Sequence, residues 1–152
     1  MNKTIDIIEK NIDDLIGDDA MLVKEARNAV ELSYSPYSNF AVGAAVLLDN
    51  GVIVKGANQE NASYPVGICA ERSAIYTAQN LHPNMPVVSI ALTARGKDGE
   101  ITNDYITPCG MCRQVISELE IRYKRKIRIL MCSAQKVAIV DTVNSLLPMS
   151  FF

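Results

Sequence analysis

The sequence predicts an α/β fold: a three-layer α/β/α sandwich built around a mixed, five-stranded sheet. Three observations lead there. Helical and strand-like segments alternate in the order α-β-β-α-β-α-β-β, which implies a sheet with helices on both faces and parallel crossovers in its middle. Asn50-Gly51, set between two apolar runs, is the strongest short-range signal of an antiparallel hairpin, so the sheet is mixed. The chain has 152 residues, 49% of them apolar. A chain of that size buries roughly 70% of its unfolded surface in one domain without disulfide staples.

Each element has a local reason. Residues 1–17 read as an N-terminal extension holding a short strand or turn. Asp18 or Asp19 caps a helix to about Leu32, with Met21, Val23, Ala26, Ala29, Val30 and Leu32 as its apolar face. Ser33 to Asn39 (SYSPYSN) is dense in turn formers and makes a loop. Ala41 to Leu48 is a buried strand, and Val52 to Lys55 returns as its hairpin partner. The loop from Ala57 to Gly67 leads to a helix over about Cys69 to Asn80. Val87 to Thr93 is a strand, followed by a polar turn at Arg95 to Glu100. Pro108 introduces a helix from Cys109 or Gly110 to about Glu120. Lys126 to Cys132 and Val137 to Asp141 are the last two strands. With no repeat or linker, residues 1–152 form a single domain.

Composition excludes several functions. Fifteen Lys and Arg against 17 Asp and Glu give a net charge of −2, unlike the basic excess of a duplex-coating protein. The one basic run, Arg122 to Arg128 (RYKRKIR), reads as a solvated helix end where cations suit the dipole. The longest apolar run, Phe40 to Leu48, falls far short of the ~20 residues of a spanning helix. The first ten residues alternate charged with apolar side chains, so no export signal is expected. The expected compartment is the cytoplasm, where thiols stay reduced. The four cysteines are therefore metal ligands, catalysts or core filler before they are disulfides.

Three of them sit where loops become helices: Cys69, and Cys109 and Cys112 in Pro108-Cys-Gly-Met-Cys-Arg113. A helix start favours thiolate, because it carries about half a positive charge and unpaired N–H groups. Cys-x-x-Cys at such a start places both sulfurs on one side of a turn. Cys69 joins them if the two helices lie side by side. Three thiolates without a fourth protein ligand leave an open position on tetrahedral zinc, as catalytic sites do. Glu71, two residues past Cys69, lies close enough to exchange protons with a water at that position. Cys-x-x-Cys alone is also compatible with a redox motif, half of a structural zinc site, or core filler. Cys132, at the end of a strand, is a buried small hydrophobe, and His82, after a helix end and before Pro83, has a surface or C-capping role.

Longer stretches carry a resemblance. Asn58-Gln-Glu60-Asn-Ala-Ser-Tyr64-Pro-Val-Gly-Ile-Cys69-Ala-Glu71-Arg72 and Pro108-Cys109-Gly-Met-Cys112-Arg113-Gln114 resemble the small, homotetrameric, zinc-dependent cytidine deaminases. Ser35-Pro36-Tyr37-Ser38-Asn39-Phe40-Ala-Val-Gly43 and Leu146-Leu147-Pro148-Met-Ser-Phe151 match the same family in the same order. The resemblance covers nearly the whole chain after Asp18. It implies hydrolytic deamination of cytidine and 2′-deoxycytidine to uridine and 2′-deoxyuridine in pyrimidine salvage. It also implies one Zn²⁺ per subunit on Cys69, Cys109 and Cys112, with water in the fourth position and Glu71 as proton shuttle during attack at C4. Asn58 and Glu60 would bind the ribose, notably its 3′-hydroxyl, and Phe40 would pack on the base. Ala70 would bring its backbone to the pyrimidine edge. Phe151, and Tyr64 with it, would reach a neighbour's site in a homotetramer with shared active sites. Gln59 stands where the family is often aliphatic.

Zinc at +2 with three thiolates at −3 leaves a net −1, a poor acidifier of water. The resemblance assigns the correction to Arg72 and Arg113, donating hydrogen bonds to the sulfurs, beside two helix N-termini. A nucleoside is the expected partner, with neither nucleic acid nor membrane, since Glu60 would repel a 3′-phosphate. The competing expectations are a deaminase of another aminated heterocycle or of a nucleic-acid base, and a non-catalytic zinc-binding module.

Overall fold

The structure, a computed structural model, describes residues 1–152. In chain order the elements are β1 (Ile8–Asn11), α1 (Gly17–Ala29), β2 (Ala41–Leu48), β3 (Ile53–Ala57), α2 (Ala70–Leu81), β4 (Val87–Arg95), α3 (Gly110–Tyr123), β5 (Arg128–Cys132) and β6 (Lys136–Val140). They form one sheet in the order β1-β6-β5-β4-β2-β3. Only β4 and β5 pair in parallel, and α3 is the crossover between them. The hairpin at Asn50-Gly51 sets β2 against β3, with Val46 opposite Val54.

The sheet has six strands, not the expected five. The additional one is β1, which lies antiparallel along β6 with Glu9 opposite Ala138. All four of its residues are exposed. It therefore lacks the in-out alternation by which a strand is recognised in sequence, and is held by backbone pairing.

Alternation along the central strands builds two cores, one per face. Ala44, Val46 and Leu48 of β2 point to one face with Ile90 and Leu92 of β4. Ala45 and Leu47 point to the other with Ala91, Leu130 and Ile139. α2 and α3 cover the first face, and α1 covers the second. This is the three-layer arrangement expected. The stripe of α1 differs from the expectation: Leu22, Val23, Ala26, Ala29 and Val30 are buried, whereas Met21 and Leu32 are exposed. The buried set follows i, i+1, i+4, i+7, i+8, and Met21 lies one residue, about 100° of rotation, outside it.

Two glycines set how closely helices approach the sheet. A Cβ on Gly43 would lie 2.3 Å from the Ala26 carbonyl oxygen in α1, and one on Gly56 would lie 2.3 Å from the Ala74 nitrogen in α2. The second approach matters for chemistry, because α2 begins at the site. The basic run does end a helix: Lys124 caps α3 in the left-handed region. Arg125 pairs with Asp49 at 2.6 Å, and Arg128 with Asp19 at 2.9 Å and Asp141 at 2.7 Å. No helix is long and apolar enough to cross a membrane.

Candidate active site

Cys69 is the N-cap of α2 and Cys109 the N-cap of α3, both with extended backbone, and Cys112 is the third residue of α3. Packing α2 and α3 on the same face brings the sulfurs together. Cys69 Sγ lies 3.8 Å from Cys109 Sγ, and Cys109 Sγ lies 3.6 Å from Cys112 Sγ. All three sulfurs fall within 4.8 Å of one another. A tetrahedron with Zn–S bonds of about 2.3 Å has sulfur–sulfur edges of ~3.8 Å, so the donor set fits zinc in chemistry and in spacing. None of the four cysteines is in a disulfide.

The charge environment favours a thiolate at Cys69. Cys69 is pushed down to about 5, chiefly by a hydrogen bond from the Cys112 thiol and then by the Arg72 guanidinium. Cys112 is pushed up by the same bond and by burial, so it is the sulfur that stays protonated when Cys69 has lost its proton. Arg72 places Nη2 3.7 Å from Cys69 Sγ. Arg113 departs from the expectation. Its Nε donates to the Pro108 carbonyl at 2.7 Å and its Nη1 to the Leu146 carbonyl at 2.8 Å. It braces the loop before Cys109 against the C-terminal tail, and donates to no sulfur. The reason is that Pro108 and Leu146 offer carbonyls with no secondary-structure partner, which a planar guanidinium can reach together.

Glu71 is only 4% exposed. Burial pushes its carboxyl up to about 7, helped by the charge on Cys69 and opposed by its own backbone N–H. Such a carboxyl exchanges a proton readily near neutrality. Ala70, fully buried, opens α2 between Cys69 and Glu71.

A second group of residues lies next to the cysteines in the backbone. Gln59 and Ile68 exchange two hydrogen bonds of 3.0 Å, so the stretch Asn58 to Glu60 runs beside the residue that precedes Cys69. Glu60 Oε1 accepts the N–H groups of Tyr37 at 3.0 Å and Ser38 at 3.1 Å. Hydrogen bonds from Ser38 hold this carboxyl below the usual range. Asn58 Nδ2 donates to the Phe40 carbonyl at 2.9 Å, and the Phe40 side chain is 38% exposed. The Gln59 amide donates to the Leu32 carbonyl at 2.9 Å. An aliphatic residue in its place would lose that tether.

Tyr64 and Phe151 are not packed into their own chain. Tyr64 projects from a short 3-10 turn with 89% of its surface exposed, and Phe151 is 73% exposed. Phe151 touches Phe152, with ring centroids 4.5 Å apart. Cys132 is fully buried, and burial pushes its thiol up to about 12. Sequence reasoning missed Ser33, whose hydroxyl lies 2.5 Å from Asn58 Oδ1. It appeared only as one serine of a turn, and no local pattern signals a bond across 25 residues.

Comparisons with known proteins agree with this geometry. Residues 17–126 match the family described as the cytidine and deoxycytidylate deaminase zinc-binding region. A cytidine deaminase of Halalkalibacterium halodurans is 47% identical over 102 residues, covering 67% of this chain and 72% of that protein. The crystal structure of a cytidine deaminase from Burkholderia pseudomallei superposes with a TM-score of 0.75 at 36% identity, covering 87% of this chain and 98% of the other. The cytidine deaminase of Mycobacterium tuberculosis gives 0.69 at 32% identity, covering 90% and 99%.

Proposed function

Because this chain belongs to the cytidine and deoxycytidylate deaminase zinc-binding family, we propose that it hydrolyses cytidine and 2′-deoxycytidine to the uridine counterparts and ammonia. The observation that carries this reading is the meeting of three sulfurs within 4.8 Å at two helix starts, beside the buried carboxyl of Glu71. A purely structural zinc site would use a fourth protein ligand. Here the remaining soft donors are Cys132, sealed in the opposite core, and His82, at the far end of α2.

Cys69, Cys109 and Cys112 hold the Zn²⁺, which when bound supplies a Lewis acid that makes water nucleophilic near neutral pH. Glu71 takes a proton from the attacking water. It delivers that proton to ring N3 and carries a second one to the departing amino group. The bond formed is O–C4 and the bond broken is C4–N4, so one water enters and one ammonia leaves. Arg72 and the N-termini of α2 and α3 withdraw charge from the sulfurs. Ala70 has no bulk to obstruct the pyrimidine edge, and Phe40 offers a face to the base.

Asn58 and Glu60 bind the sugar. Glu60, acceptor-only and held ionised, favours a hydroxyl and disfavours a phosphate in the same place. That supports a free nucleoside over a nucleic acid. The ion pairs of Arg125 and Arg128, which occupy two of the five cations in the basic run, support it too. The whole chain, 1–152, acts as one catalytic domain in the cytoplasm. It assembles as a homotetramer: exposed Tyr64, Val66, Met111 and Phe151 offer apolar surface for partner subunits, and Tyr64 and Phe151 reach a neighbouring subunit's pocket.

The test is Glu71→Gln. The variant retains one zinc per chain while kcat on cytidine falls at least ~10²-fold, the usual contribution of a positioned acid–base group. Near-normal turnover with zinc bound would sink the assignment.

A further inference from the structure

Ser33 makes the fullest use of a side chain that sequence reasoning left idle. The Asn58 amide has four hydrogen-bonding positions, two lone pairs on Oδ1 and two hydrogens on Nδ2. Its orientation is fixed by the backbone: the Val42 N–H, 2.9 Å from Oδ1, needs an acceptor, and the Phe40 carbonyl, 2.9 Å from Nδ2, needs a donor. Ser33 Oγ, 2.5 Å from Oδ1, takes the second lone pair. Because Oδ1 cannot donate, the single Ser33 hydrogen points at Asn58. The Ser35 hydroxyl, 3.1 Å from Ser33 Oγ, then donates into Ser33. A relay from Ser35 through Ser33 to Asn58 leaves the amide one free valence, a single N–H.

We propose that Ser33 is a positioning residue that makes Asn58 a donor-only contact for the nucleoside sugar. This rests on the deaminase reading above, in which Asn58 and Glu60 bind the sugar. Glu60 is acceptor-only, with Oε1 engaged by Tyr37 and Ser38. The pair therefore selects one group able to accept from Asn58 and donate to Glu60 at once. A hydroxyl meets that demand. Hydrogen, fluorine or an ether oxygen in the same place does not. Without the Ser33 hydroxyl, Oδ1 regains an open lone pair, so Asn58 offers both an acceptor and a donor and its hold on position loosens.

The experiment is steady-state kinetics of the zinc-loaded enzyme on cytidine, 2′-deoxycytidine and 3′-deoxycytidine, for the wild type, Ser33→Ala and Ser33→Thr. One neutral hydrogen bond corresponds to roughly fivefold in an equilibrium constant. Ser33→Ala therefore raises KM for cytidine about fivefold with kcat within twofold. It also shrinks the preference for cytidine over the poorer deoxynucleoside by a similar factor. Ser33→Thr, which keeps the hydroxyl, restores both values. An unchanged KM and preference in Ser33→Ala, or a fall in kcat alone, overturns the role of Ser33 and leaves the deaminase reading standing. A wild-type enzyme that turns over none of the three nucleosides overturns both.

Discussion

Replacing Gly56 by alanine should damage the metal site from a distance, through the helix that carries Cys69 and Glu71. The Cβ of Gly56→Ala would stand 2.3 Å from the Ala74 nitrogen, 2.7 Å from its Cα and 2.8 Å from the Ala70 carbonyl oxygen. All three are backbone atoms, so no rotamer change relieves the clash. Ordinary contact begins near 3.4 Å, so α2 and β3 must separate by about 1.1 Å at this point. Overpacking of this kind costs about 3 kcal/mol, which for a domain of this size lowers Tm by roughly 6–12 °C. Metal–ligand distances tolerate only about ±0.2 Å, so a shift of α2 also pulls Cys69 out of register with Cys109 and Cys112, which sit on α3. The assay is thermal unfolding with and without added zinc, together with zinc content per chain. Gly110→Ala serves as the comparison, because a Cβ there meets nothing within 4 Å, and its Tm should stay level or rise slightly. Wild-type Tm and full zinc occupancy in Gly56→Ala would refute the claim that this contact sets the helix.

Two other outcomes follow from the cysteines. After removal of zinc with a chelator, iodoacetamide should label Cys69 and Cys109 fast, Cys112 more slowly because it is fully buried, and Cys132 only on unfolding; mass-spectrometric mapping reads the order, and early labelling of Cys132 contradicts its placement. The raised Cys132 thiol also gives a pH effect of definite sign. Below the unfolded value, near 8.5, both states hold the proton and stability does not depend on this group. From there up to about 12 only the unfolded state releases it, so stability falls as pH rises, by up to ~1.4 kcal/mol per pH unit. Cys132→Ala should flatten urea-measured stability against pH between 9 and 10.5 relative to wild type, apart from a constant offset for the small cavity. Parallel profiles would refute it.

Some residues were legible in sequence because their signals are local. Asn50-Gly51 announces a hairpin through backbone conformations that few other residue pairs tolerate. Cys109 and Cys112 announce a metal site because the ligand spacing and the helix start lie within a few residues of each other, whereas Cys69, 40 residues away, meets them only through the packing of α2 beside α3. The central strands β2, β4 and β5 were legible for a related reason, since each is a short, nearly continuous apolar run, as a strand buried on both faces must be. β1 was legible only as a short strand or turn, because a strand exposed on every residue has no pattern that fixes its place in a sheet. Arg113 was misplaced for a related reason. Adjacency to Cys112 suggested a sulfur partner, whereas the geometry favoured two carbonyls, one of them 33 residues away.

The sequence by itself determined the order of the main helices and strands and singled out three cysteines and a neighbouring carboxyl as candidates, since side-chain chemistry and position at helix starts are written locally. Only the tertiary structure decided the partners of Asn58, Gln59 and Arg113, the sixth strand, and how far α2 stands from the sheet. Those depend on which polar groups are left without a partner once the layers pack. A buried or half-buried donor takes the nearest open acceptor, however far along the chain it lies, and in the stretch SYSPYSN it is the packed fold that tells Ser33 apart from the serines beside it.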